Sequence, residues 1–349
     1  MTEISTERPV LGGGLLKPKQ KVVRSMAKRS FFSRNAEHLA LLGALIALSV
    51  VFSFLNPRFA SVGNLQAILS AAGLPLIIGV GATLVILIGS IDLSVEGVMG
   101  ASGMAFVLMS ANSRGTSDLG GWAWVIAVGV GAALGLTSGI IYTKVKVPSF
   151  VVTLGMWYVG LGIAIILFGT QAIPTLTDNH LSTWAAQLTW GMPHSFELAA
   201  VVAILGAVVL RFTRFGRVTL AIGSNEEIAK SNGLAVTRNK IAVFAIAGAL
   251  SGLAGIVAVI QLGMGSATVA QGQLFITIPA VVIGGTSLAG GKGGMFGTAL
   301  GVLLLTTLNN GLILSGVSPN FQSAVSGAIL VVAIIVTAIS NRDRLRIAK

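Results

Sequence analysis

The chain has 349 residues, of which 54% are apolar and only 10% charged, whereas about a quarter of a water-soluble chain is charged. A mean hydropathy of +0.89, with apolar runs near the roughly 20 residues that cross a bilayer, excludes a soluble fold and predicts an all-α, polytopic transmembrane bundle. The net charge of +12 would suit nucleic acid if it formed one basic face, but the cations fall in short breaks between apolar runs, so nucleic acid is set aside as a partner.

The first segment, residues 1–37, carries eight basic residues and Gly12 to Gly14 without helical periodicity. It reads as a flexible cytoplasmic tail with an amphipathic end near Phe31 and Phe32. Apolar runs then predict ten spans, near 38–55, 64–89, 94–111, 121–142, 148–169, 196–213, 239–262, 272–289, 295–315 and 321–340, followed by a second basic tail over 341–349. With ten spans and an inner N-terminus, 21 of the 23 Lys and Arg fall inside and only Arg58 and Arg114 outside. One span more or fewer would spoil that split, so both termini are expected to be cytoplasmic.

Two breaks are more than connectors. Gln171 to Glu197 has no Lys or Arg but includes Trp184 and Trp190, which suits a segment lying along the outer interface. Arg211 to Lys240 interleaves Phe215, Val218, Leu220, Ile222, Ile228 and Leu234 with charge, which predicts short amphipathic helices able to dock on a partner, with a cytoplasmic loop at 214–238. Glycines four apart, at Gly131, Gly135 and Gly139, Gly248 and Gly252, and Gly297 and Gly301, predict close helix packing, with a gating surface as the alternative. A short echo between Gly89 to Ser94 and Gly284 to Ala289 hints at a parallel repeat of two halves.

No catalytic or metal site is expected. The chain has no Cys, and its His residues (His38, His180, His194) are scattered. The glycine-rich run from Gly284 to Gly294 fails as a phosphate loop, because Thr286 and Gly293 stand where a Walker A motif needs Gly and Ser or Thr. Its Gly284, Gly285, Gly290 and Gly291 instead predict a tight turn. Any ATP must therefore bind another chain. Of the acidic residues only Asp92 and Glu96 come near a span, in the predicted turn between spans two and three. There Asp92 is expected to cap the next helix and Glu96 to face water or a basic neighbour; coupling or gating is the alternative. The polar residues inside the apolar runs are neutral: Gln66, Thr153, Gln261, Thr277, Asn309 and Asn310, with Trp157 and Tyr158 beside them. Such amides, hydroxyls and aromatic faces suit a neutral, hydroxyl-rich solute, and interhelical bonding is the alternative for each.

Three stretches carry a family resemblance. They are Gly89-Ser90-Ile91-Asp92-Leu93-Ser94-Val95; Lys146-Val147-Pro148-Ser149-Phe150 on to Leu154; and a long third group. That group runs from Phe215-Gly216-Arg217 through Ala221 to Glu226, Ala229, Ser231 and Gly233, then Val281 to Gly291 and Leu308 to Gly311. Together, from about residue 40 to 340, they resemble the permease subunits of ribose-, xylose- and galactose-type ABC sugar importers of the bacterial inner membrane. The resemblance implies two permease copies, identical or similar, on ATPase subunits that bind ATP and Mg, fed by a solute-binding protein with a sugar or polyol. Glu227 to Gly233 is similar to the E-x-A-x3-G coupling motif of such permeases, which marks Glu226, Glu227, Ala229 and Gly233 for contact with the ATPase. Two departures stand out: Gln273 to Ala280 replaces an acidic ELDAIAA-like run, and Glu96 stands where glycine is usual. A permease for an amino acid or other small solute, and an ion-coupled secondary carrier, remain the alternatives.

Overall fold

The computed structural model describes residues 36–318 apart from residue 117, together with scattered positions between 321 and 335. The expected tails, 1–37 and 341–349, lie outside the described residues but for Ala36 and Glu37, as does most of the span expected at 321–340. The chain is a polytopic helical membrane protein. Among the described residues, seven helices are long and apolar enough to cross a membrane. They are α1 (Ala36–Leu55), α2 (Val62–Leu87), α4 (Gly121–Ile140, prolonged by a π-turn over Ile141–Val145), α5 (Ser149–Phe168), α7 (His194–Phe212), α10 (Val236–Leu262) and α12 (Met295–Leu314). Two apolar helices, α3 (Val95–Met109) and α11 (Gln273–Ile283), are shorter.

Burial separates the centre from the rim. The apolar windows of α2 and α10 are 78% and 72% buried, against 6% for α1 and 17% for α7. Helices surrounded by protein and helices facing lipid can both be apolar all round, so only packing distinguishes them. Phe106, Phe244, Ile77 and Met99 fill the centre. Glycine sets the closest approach. A Cβ on Gly131 would meet the Gly248 carbonyl and the Gly252 backbone, and one on Gly135 the Phe244 carbonyl, so α4 and α10 pack backbone to backbone. Gly297 and Gly301 likewise lie against Gly284 and Ala280. The glycine pattern thus serves packing within the chain.

The segment after α5 forms α6 (Asn179–Trp184) and a small hairpin of β1 (Leu188–Thr189) and β2 (Met192–Pro193). Trp190 at its tip is 92% exposed, while Trp184 packs edge-on against Trp124 with centroids 5.6 Å apart. Arg114 at this end donates to the carbonyls of Ala172 and Gln171. At the opposite end the long break folds into α8 (Arg214–Ser224) and α9 (Glu226–Ser231), as its mixed pattern predicts.

The run expected as one span at 272–289 is instead the 11-residue α11 followed by a turn. Gly285, Gly290 and Gly291 take φ of 88°, 84° and 73°, a region open to glycine but not to side chains that would continue a helix. The two short helices run in opposite directions, α3 following one of the echoed turns and α11 preceding the other. The end of α3 reaches the outer segment through the Asn112 to Leu176 bridge, whereas the turn after α11 meets the end of α2, Gly291 N donating to Leu87 O at 2.9 Å.

Candidate functional site: a broken-helix junction above a coupling platform

Between α2 and α3 the chain climbs in extended form beside α5. Ile91 N donates to Ser149 Oγ at 3.1 Å and Leu93 N to Thr153 Oγ1 at 3.0 Å. Asp92 Oδ1 accepts from both Ser94 N and Ser94 Oγ, at 2.8 and 2.6 Å; it therefore braces the entry to α3 through Ser94, and Ser94 holds the cap position. The next residues lie well inside the bundle. A Cβ on Gly97 would strike the Trp157 carbonyl, and Trp157 lies eight residues into α5, about 12 Å along its axis.

Glu96 is here, only 8% exposed, and makes no ion pair among the described residues. It stands in the first turn of α3 rather than in the turn before it, so the expectation of an ion-paired turn residue is corrected. Its Oε1 accepts from Gly272 N and Leu274 N, both at 3.1 Å. Glu96 is in the first turn of α3 and caps the first turn of α11, so two opposed helix N-termini converge on one carboxylate, where their dipoles favour negative charge. Its Oε2 has no protein donor among the described residues. Gln273 Oε1 and, one turn further along α11, Thr277 Oγ1 are buried without a partner. Thr277 faces Gly79 of α2 beside Thr298, whose hydroxyl bonds Thr83 Oγ1 at 2.7 Å. A column of polar side chains therefore runs from the junction towards the end of α2. Half-helices meeting around unpaired polar groups are how transporter folds build solute sites inside a bilayer.

The platform begins at the end of α2. A Cβ on Gly223 of α8 would collide with the Leu87 carbonyl and Gly291 N, so α8 rests directly on both glycine-rich turns. Thr219 Oγ1 donates to Asn239 Oδ1 at 3.1 Å, fixing α8 to the foot of α10. Asn225 caps α9 by accepting from Ile228 N at 3.0 Å. Gly233, at φ 74°, ends α9: Gly233 N donates to Lys230 O and Leu234 N to Ala229 O, the pair of bonds that satisfies a helix's last carbonyls. Ala229 packs inward while Glu227 is exposed. Glu226 Oε2 accepts from Lys240 Nζ at 2.7 Å, Lys240 Nζ donates to Tyr142 OH at 3.0 Å, and Ser90 Oγ donates to the same hydroxyl at 3.0 Å. A chain of polar contacts so links α9 to the extended segment that leads into α3 and Glu96.

The expected pathway residues do not assemble into one site. Thr153 is fully buried and holds the backbone of the extended segment. Trp157 borders the junction through its backbone and its ring lies 5.4 Å from that of Tyr158. Gln66 and Gln261 bond the Gly191 and Ser70 carbonyls near the outer end. Asn309 and Asn310 are half-buried on α12, and Asn310 Oδ1 is buried without a partner. Ser90, Tyr142, Lys240, Gly223 and Gln273 were not singled out for this site from sequence. A lysine opening a long apolar run, and one of only two tyrosines at the end of another, were the signals available.

The chain matches the family described as branched-chain amino acid transport system / permease component over residues 64–334. It is 34% identical over 318 residues to the ribose import permease protein RbsC of Escherichia coli K12, covering 90% of this chain and 98% of that one. It is 35% identical to the probable ABC transporter permease protein YphD of the same strain, covering 89% and 92%. It is 29% identical to the D-allose transport system permease protein AlsC, covering 83% and 88%. No solved structure is significantly similar.

Proposed function

The chain belongs to the family of branched-chain amino acid transport system permease components, is a permease subunit of an ABC importer and not an enzyme, and from that premise we propose that its solute is a monosaccharide or related polyol. Relatives named for ribose and allose import support the solute class. The observation that carries it in this chain is the junction, where a carboxylate oxygen, an amide and a hydroxyl stand unpaired inside an apolar bundle. Hydroxyl-rich solutes both donate and accept, and these groups offer that mixture. In this reading the chain crosses the bacterial inner membrane ten times, α3 and α11 each making a crossing together with the non-helical segment before it, both termini are cytoplasmic, and a binding protein delivers solute to the Trp190 end.

At the other end α9 seats on an ATPase that holds ATP and Mg. Glu226, Glu227, Ala229 and Gly233 form the coupling element, and a second permease copy or similar chain completes the complex. Closure of the ATPase moves α8 and α9 as one piece. Through Gly223 and the Glu226–Lys240–Tyr142–Ser90 contacts, that motion displaces the two glycine-rich turns, with Asp92, Gly284, Gly285, Gly290 and Gly291 holding their shape. The half-helices at Glu96 then open to the opposite side.

Two other readings have observations of their own. The family description favours an amino acid, and the buried Glu96 is the kind of group an ion-coupled carrier uses. Reconstituting the chain in vesicles with its ATPase and binding protein separates them. ATP-dependent uptake of labelled pentose or hexose, competed by free sugars and not by leucine, is expected. Uptake of sugar driven by a proton or sodium gradient without the ATPase would overturn the assignment.

A further inference from the structure

Where the foot of α4, α9 and the start of α10 meet, a cavity of about 630 Å³ opens, lined by Tyr142, Lys146, Glu226, Lys230, Arg238 and Lys240. Four cations face one carboxylate. That carboxylate is committed, since Glu226 pairs with Lys240 at 2.7 Å, while Lys146, Lys230 and Arg238 are exposed and make no ion pair among the described residues. Lys146 is also held in the left-handed region, at φ 62°, which turns the chain sharply between α4 and α5. The start of α10 adds positive character, because no side chain caps it.

Apolar surface leads into this basic mouth. On α4, Leu136 and Ile140 are exposed, and Thr143, three residues on, lines the cavity. Val147 lines it from the other side, and Val151 and Leu154 follow at helical spacing along α5, both exposed. Two adjoining apolar stripes thus end at one cluster of unpaired cations. A soluble anion would use the charges alone, and an acidic protein surface would have no use for stripes that climb the membrane-facing helices. A molecule with an anionic head and hydrocarbon tails uses both.

We propose that this cavity seats the phosphate-bearing headgroup of an anionic phospholipid, with its acyl chains along the α4 and α5 stripes. The inference rests on the importer reading only for its consequence. Because Lys230 belongs to α9, a seated headgroup ties the coupling helix to the bundle, so coupling depends on anionic lipid.

Binding is tested on the purified full chain, independently of transport, so a failure of the importer reading leaves the result intact. The delipidated protein in detergent is titrated with phosphatidylglycerol, with phosphatidylcholine and with inorganic phosphate, followed by native mass spectrometry and thermal unfolding. Phosphatidylglycerol is expected to be retained several-fold more than phosphatidylcholine and to raise the unfolding temperature, and phosphate alone to do neither. The double variant Lys146→Gln, Arg238→Gln should lose the preference while unfolding normally in phosphatidylcholine. Lys144→Gln, on the same turn but outside the cavity, should keep it. Equal loss in Lys144→Gln would reveal general surface charge, a shift with phosphate alone a simple anion site, and displacement of the lipid by added ATPase a protein interface. Each of these, like equal retention of the two lipids, overturns the proposal.

Discussion

Glu96 is costly to bury and is held in two ways. A carboxylate removed from water needs compensation, and here Gly272 N and Leu274 N supply it on Oε1 while two helix N-termini add their dipoles. Oε2 is left over. If that oxygen receives a solute hydroxyl, Glu96→Gln should keep the backbone bonds, through the amide oxygen, and weaken solute binding. A hydrogen bond to a charged group contributes about 1.5–3 kcal/mol, so the concentration for half-maximal uptake should rise about tenfold or more at near wild-type unfolding temperature. Glu96→Ala should instead lower the unfolding temperature, because two half-buried N–H groups at the start of α11 lose their acceptor, at up to about 1 kcal/mol each. Wild-type uptake kinetics in Glu96→Gln would reduce the residue to a helix cap.

The smallest element with the largest assigned task is α9. Six residues cannot hold a helix by propensity, since nucleation alone is unfavourable, so its shape comes from Asn225 at one end and Gly233 at the other. Valine at φ 74° costs about 1–2 kcal/mol and would release the two closing bonds. Gly233→Val should therefore leave the protein inserted and folded while uptake and stimulation of the partner ATPase fall together, measured in the reconstituted complex. Full uptake at wild-type expression would make α9 an ordinary loop. This element was legible in the sequence, because turn glycine, cap and mixed polarity are all local signals. The broken helices were not. An apolar run such as 272–289 reads the same whether it forms one span or a half-helix and a turn, and Glu96 meets partners 176 and 178 residues away. The polar residues inside spans were visible, yet which of them pair was not: Thr153 is spent on the backbone of Leu93, whereas Gln273, noted only as a departure from its relatives, is unpaired.

At the scale of the molecule, charge and structure agree on an axis. Lys144, Lys146, Lys230, Arg238, Lys240 and Lys292 gather at the end where α2 meets α8, and Arg58 and Arg114 lie at the other, beside the hairpin and the Asn56 Nδ2 bond to Leu314 O. Cationic ends stay on the cytoplasmic side during insertion, so the α8–α9 platform should face inward and the hairpin outward. The chain lacks Cys, which permits a direct measurement in whole cells. Gln187→Cys, exposed before the hairpin, should react with a membrane-impermeant maleimide added outside. Ser231→Cys, exposed on α9, should react only after the membrane is opened. Both positions avoid the caps and the junction, so expression should be unchanged. Labelling of Ser231→Cys in intact cells would place the platform outside, where no ATPase could reach it. Labelling of both from one side would break the topology altogether, because α7 alone separates the hairpin from α8 and at 19 residues it is long enough for a single crossing.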